Sequence, residues 1–307
     1  MGALTPTPLR KLEMLAPTQP GGEPWVSAAS GLVRAGEWLY VVADDELHLA
    51  RFRSDGTAPG EWLRLFPGEL PEKKKPRKRA KLDTECLALL PPTADAPGGS
   101  LLALGSGSGP LRCRAAQLPL ARDGTPAGPV RRIDVSTCLA ALEADLPELN
   151  IEGAVVRSSR VTLLHRGNKG GAPNALVTIP VEDLWNDAGP RNVAICTVDL
   201  GAIGAVPLTL TDGTCHPDGG LLVTAVAEDT DNRWHDGACS GAALAHVRDD
   251  GTMRGLRQLE GRPKVEGVEL RRAGAGLECL LVTDPDDRRK AATLYRVILP
   301  PGDANRA

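Results

Sequence analysis

Apolar and polar residues alternate with a period close to two along most of the chain, in short runs broken by Gly, Pro and Asp. Such alternation predicts half-buried β-strands rather than helices. The clearest runs are WLYVVADD (38–45), LLALGSGS (101–108), VTLLHRGN (161–168), LLVTAVAED (221–229) and LECLLVTDPDD (277–287), each ending in polar residues. Ahead of each stands a related run that opens on Ser30-Gly31, Glu85-Cys86, Glu152-Gly153, Asp212-Gly213 or Glu266-Gly267. The spacings between their first residues are 55, 67, 60 and 54. A third run follows every time (LHLARF, LRCRAAQLPL, NALVTIPV, SGAALAHV, ATLYRVIL), and a fourth follows in four units (61–67, 129–135, 192–200, 255–261). The fifth unit stops at Leu299, one strand short, and the unassigned segment Pro8–Leu15 can supply it.

Five units of four strands, the last completed from the N-terminus, predict an all-β fold, a five-bladed β-propeller. The blades span about 25–70, 83–135, 150–200, 207–261 and 264–299 plus 8–15, read as a single domain over 1–307. Asp-Gly turns at 55–56, 123–124 and 249–251 mark hairpins, because glycine accepts the positive φ that such turns need. The stretch Ser136–Leu146 predicts a short helix between the second and third blades, with Ser136 as N-cap.

Composition agrees with a turn-rich β protein: 34 Gly and 26 Pro in 307 residues, and only 3% aromatics. Seven scattered cysteines without a C-x-x-C pair argue against a disulfide framework or a zinc ribbon. The formal charge of −3 argues against a general nucleic-acid coat, and no apolar run is long enough for a membrane span. The first residues lack the apolar core of a signal peptide, so a cytoplasmic, monomeric protein is expected.

In a propeller the first strand of each blade lines the central channel, and its start lies at the same face as the end of the second strand. Ser30, Glu85, Glu152, Asp212 and Glu266 are therefore expected to form a ring around the axis. Asp44, Asp45, Ser106, Ser108, Arg166, Asn168, Glu228, Asp229 and Asp284 are expected just outside it. Four carboxylates that close cannot all stay ionised without a cation or a raised pKa. Oxygen ligands without histidine suit a hard cation, a single calcium ion above all.

The segments Ser30-Gly-Leu-Val, Thr84-Glu85-Cys-Leu-Ala-Leu, Ile151-Glu152-Gly-Ala, Thr211-Asp212-Gly-Thr and Val265-Glu266-Gly-Val-Glu resemble, as a series, the calcium-activated nucleotidase (apyrase) family. Those proteins are also five-bladed propellers, with a Ser, Glu, Glu, Ser, Glu ring holding one calcium. The fourth position here departs from that pattern, reading Asp212, or Thr211 one residue off register, in place of Ser. The chain is also similar to an uncharacterised group of bacterial propeller proteins.

What the resemblance implies is a calcium-dependent hydrolase of phosphate anhydrides or esters at the central channel. Asp44 or Glu228 would activate water there, with the metal at Ser30, Glu85, Glu152, Asp212 and Glu266. A small anionic substrate would meet Arg166, Asn168 and Lys169, with Trp234 stacking on it; Arg112 and Arg288 are further cations for its rim. Two other functions fit the same ring: a metal-stabilised binding or scaffold propeller, and an esterase, lactonase or glycosidase that uses the carboxylates directly. The run Lys73–Lys81 carries seven positive charges and reads as a solvated loop that could draw anions toward the channel. No aromatics accompany it for base stacking, so a nucleic-acid partner is not expected.

Overall fold

A computed structural model describes residues 2–167, 172–229, 238–274 and 276–300. It contains five four-stranded antiparallel sheets arranged as the blades of a propeller. Blade 1 is β2 (Ala29–Ala35), β3 (Trp38–Ala43), β4 (His48–Arg53) and β5 (Glu61–Arg64); blade 2 is β6 (Thr84–Leu90), β7 (Ser100–Gly105), β8 (Arg114–Pro119) and β9 (Arg131–Asp134). Blade 3 is β10 (Ile151–Arg157), β11 (Arg160–His165), β12 (Asn174–Pro180) and β13 (Ala194–Val198). A small hairpin, β14 (Ala202–Ile203) and β15 (Val206–Pro207), leads to blade 4, which is β16 (Thr209–Cys215), β17 (Leu221–Asp229), β18 (Ala238–Val247) and β19 (Met253–Leu259). Blade 5 is β20 (Val265–Ala273), β21 (Gly276–Thr283), β22 (Thr293–Leu299) and, from the N-terminus, β1 (Thr7–Lys11).

The alternation along each strand sends side chains into two different interblade cores. In β3, Tyr40 and Val42 pack with Leu87, Leu101 and Ala103 of blade 2, whereas Leu39 and Val41 pack with Leu280, Val282 and Leu294 of blade 5. Equivalent clusters fill the other three gaps, so every blade is held by both neighbours. Closure follows the expected route: β1 pairs antiparallel with β22 at Thr7↔Arg296 and Lys11↔Thr293. The same N-terminal segment also bonds Leu4 to the Gln258 carbonyl of blade 4 and Leu15 to the Gly60 carbonyl beside blade 1. One short segment thereby fastens three blade edges that would otherwise be left exposed.

Each innermost strand carries a β-bulge near its start, and the bulged residues are Ser30, Glu85, Glu152, Thr211 and Glu266. Bulges re-aim side chains at functional edges, and here they repeat five times around the axis. The residue after the bulge is glycine in three blades because the inner strands approach closely. A Cβ at Gly31 would lie 2.9 Å from the Leu87 nitrogen and 3.1 Å from Leu87 Cβ. Gly31→Ala is therefore expected to cost about 1–3 kcal/mol in denaturant unfolding through overpacking, and an unchanged midpoint would show that the ring is looser than described.

Two local expectations change. The basic run is not a free loop: Lys74–Ala80 forms a helix, α1, with Arg77 buried. The insertion helix α2 spans Ser136–Glu143, but Ser136 lies inside it, and the Asp134 carboxylate accepts from the Ser136 N–H at 2.9 Å. No helix among the described residues is long and apolar enough to cross a membrane.

Candidate functional site

The inner-strand starts and second-strand ends meet at one face around a basin of about 370 Å³. Ser30, Glu85, Glu152 and Glu266 line it, as do Asp44, Arg166, Glu228 and Asp284 from the second-strand ends. Asp212 does not line it. The bulge puts Thr211 in the ring position of blade 4, where its hydroxyl donates to the Val265 carbonyl at 2.8 Å. Asp212 sits in the position that glycine fills in blades 1, 3 and 5, beneath the ring. One of its oxygens accepts from the Val268 N–H at 2.9 Å. Burial pushes this carboxyl well above the usual range. Asn168, Lys169 and Trp234 lie outside the described residues.

Cations thread between the carboxylates. Arg166 Nη1 lies 3.5 Å from Glu152 Oε2, its Nη2 bonds Glu228, and its Nε donates to Thr209 Oγ1 at 3.1 Å. Lys264 Nζ lies 3.1 Å from Glu228, 3.6 Å from Glu266, 3.7 Å from Asp284 and 2.7 Å from Asp286. Burial alone would lower the pKa of both cations. The surrounding carboxylates outweigh it and hold Arg166 and Lys264 above their ordinary values. The charge that the ring was expected to leave for a metal is thus largely met by the chain's own side chains.

Sequence reading missed several of these partners, yet a signal for them exists. Asp83, Asn150 and Lys264 each stand two residues before a ring glutamate, the offset that returns a strand to the same face. Asp83 is also bent into the left-handed region, φ 57°. Ser106 Oγ (2.6 Å) and Arg112 Nη1 (2.8 Å) hold its Oδ2, and Lys81 Nζ (2.7 Å) holds its Oδ1. Burial opposes ionisation of Asp83, but Lys81, Arg112 and these hydrogen bonds keep its pKa below the usual value. Ser106 and Ser108, expected at the rim, serve this residue instead.

Glu85 differs from the other ring acids. It faces the basin, and no ion pair or hydrogen bond to its carboxyl is found among the described residues. Burial first, then Glu152, Asp83 and Asp44, push its pKa well above the ordinary value against the opposing Lys81. One carboxylate oxygen each from Asp44, Asp83 and Glu85 lie within 4.8 Å of one another. Three hard oxygen donors at that spacing fit a divalent cation in type. The Lys81 ammonium is bonded to both Asp44 and Asp83 and supplies positive charge at the same place.

His165 is fully buried beside the ring, outside the basin lining. Its Nδ1 accepts from the Asn150 N–H at 3.2 Å, and burial lowers it to about 4, so it is neutral and structural. Asp284 is pushed up to about 8, by burial first, with Lys264 opposing and Asp286 and Asp44 adding. A carboxyl raised on folding stabilises fully below its unfolded pKa, and that contribution is lost as the pH rises through the folded one. The loss therefore falls between about pH 4 and 8. The wild type should melt higher at about pH 6 than at about pH 8, and Asp284→Asn should shrink the difference. An equal slope in the variant would assign the effect to other groups.

The propeller is shared with solved structures of low identity. The α-L-arabinofuranosidase of Podospora anserina, solved with cellotriose, is 13% identical, with a TM-score of 0.51 over 97% of this chain and 96% of that one. A mutant of the β-fructofuranosidase of Bombyx mori, solved with sucrose, is 11% identical, with a TM-score of 0.51 over 96% of this chain and 65% of that one. At such identities the likeness shows the fold alone. No curated protein is similar in sequence. The match that covers nearly all of the propeller, residues 25–299, is to DUF6929, a family of unknown function, and the chain belongs to that family.

Proposed function

We propose that the basin is the active site of a hydrolase that cleaves a glycosidic or lactone C–O bond by acid–base catalysis, with Glu85 as proton donor and Asp44 as its partner carboxyl. The observation that carries this reading is the state of Glu85: a raised carboxyl, open to the basin, within 4.8 Å of Asp44 and Asp83. Acid–base cleavage of a C–O bond requires a proton-donating carboxyl beside a second one that acts as nucleophile. Glu85 would give its proton to the leaving oxygen as the bond breaks. Asp44, held by Lys81, would attack the electron-poor carbon, and water would then release the product while returning a proton to Glu85. One oxygen of Glu85 lies within 4.8 Å of one of Asp44, closer than the roughly 6.5–9.5 Å that inverting pairs leave for a water. Both solved relatives named above are glycosidases, which agrees with this class of bond.

The test is a panel of aryl glycosides and small lactones, assayed with wild type and Glu85→Gln. Hydrolysis by wild type that the variant lacks supports the reading. No hydrolysis of any member, or equal rates for both proteins, overturns it.

A second reading, a calcium ion at Asp44, Asp83 and Glu85 serving a phosphate-ester hydrolase or a scaffold, is favoured by the clustering of those three acids. It requires Lys81 to swing away from Asp44 and Asp83. A native-only ligand at a hundredfold excess over Kd adds about 2.7 kcal/mol. A rise of several degrees in the melting point of EDTA-stripped protein on adding calcium would favour this second reading, whereas the first expects none.

A further inference from the structure

A basic run ends at the basin. From Lys73 to Lys81 it carries seven cations and no acid, and α1 has no side-chain cap. A seven-residue helix of like charges is unstable by itself, through both its short length and its self-repulsion. Its one buried residue helps to hold it in place. Arg77, 3% exposed, donates from Nε and Nη2 to the Asp45 carbonyl at 3.0 and 2.5 Å and from Nη2 to Glu46 Oε1 at 2.6 Å.

A second segment joins the same wall. Arg288 in the β21–β22 loop bonds the Glu72 carbonyl at 3.1 Å, just ahead of the helix, and its Nε lies 3.0 Å from Asp45 Oδ2. Lys74 and Lys78 from α1 and Arg288 and Arg289 from the loop all line the basin, interleaved with Glu72, Asp286 and Asp287, of which Asp287 accepts from Arg289 Nε at 3.0 Å. The basin is also lined by Ser27, Ser30 and Asn150 among the ring glutamates, groups that bond hydroxyls. The basin thus gathers basic side chains from α1 and the loop and hydroxyl-binding groups from the ring.

We propose that the ligand of this basin is a small polyhydroxylated molecule bearing a carboxylate or phosphate, its anionic group against Lys74, Lys78, Arg288 and Arg289 and its hydroxyls toward the ring. This rests on the basin being the functional site and narrows its substrate to acidic sugars or their relatives. Anions attract guanidinium and ammonium groups most strongly where the surroundings exclude water, and salt weakens the attraction at the open edge.

Titration calorimetry on the full chain tests it with D-glucuronate, D-glucose 6-phosphate and D-glucose, none of which has a glycosidic bond to cleave. At least one of the two anionic sugars should bind tenfold or more tightly than glucose, and the two arms separate carboxylate from phosphate. The Lys74→Ala/Arg289→Ala protein should bind that sugar no better than glucose. The Lys75→Ala/Arg79→Ala protein, changed at helix cations that do not line the basin, should keep the preference. Glucose binding as tightly as both anions, binding by neither anion, or an equal loss in the second variant would overturn the proposal. Hydrolysis lost in Glu85→Gln without an anion preference would remove this inference and leave the hydrolase. The reverse result would remove the hydrolase and leave an anion-binding propeller.

Discussion

Glu85→Gln is expected to lower hydrolysis by about two to four orders of magnitude, the usual contribution of a positioned general acid, while the melting temperature stays level or rises slightly. The asymmetry comes from what the side chain does not touch. No ion pair is lost when Glu85 becomes an amide, since none is found among the described residues. The change also removes a group whose ionisation burial, Glu152, Asp83 and Asp44 all oppose. A structural acid would behave in the opposite way, with activity and stability falling together. Rates measured against pH sharpen the distinction: activity that needs protonated Glu85 declines at the alkaline end, where this carboxyl loses its proton.

Arg166→Met is expected to be the most destabilising single change in the basin. It removes the cation that bridges Glu152 and Glu228, both nearly excluded from solvent, and leaves Lys264 as the cation on Glu228. Breaking one partner out of a buried pair costs about 3–5 kcal/mol, more than the pair itself contributes, because the remaining charges stay buried. For a chain of this size the melting temperature should drop by roughly 5–8 °C. Adding Glu152→Gln to Arg166→Met should restore part of the loss, as expected for residues coupled in one network. Equal losses in the single and double variants would show that Arg166 acts through packing instead of charge.

The blade architecture was legible because it is written locally: period-two runs, Asp-Gly turns and a missing fifth outer strand. The ring was legible to within one residue, and the error is informative. Asp212-Gly213 resembles Glu152-Gly153 and Glu266-Gly267 as a dipeptide, but the bulge in blade 4 falls at Thr211. Register belongs to the pairing of β16 with β17, and no dipeptide encodes it. The basic run was misread for a similar reason. Its helix depends on Arg77 reaching the Asp45 carbonyl more than thirty residues away, and local composition spoke only for a solvated loop. The internal cations were the largest omission. Lys264 and Lys81 look like ordinary surface lysines in sequence, and their role appears only where blades converge and bring Asp44, Asp83, Glu228 and Glu266 to them.

Whether Glu85 holds a proton at neutral pH is the central question, and infrared difference spectroscopy of wild type against Glu85→Gln at pH 7 addresses it without a substrate. The predicted result is a protonated carboxyl C=O band in wild type that the variant lacks. A difference spectrum containing only carboxylate bands would mean that Glu85 is ionised in the resting protein and would contradict its assignment as the proton donor.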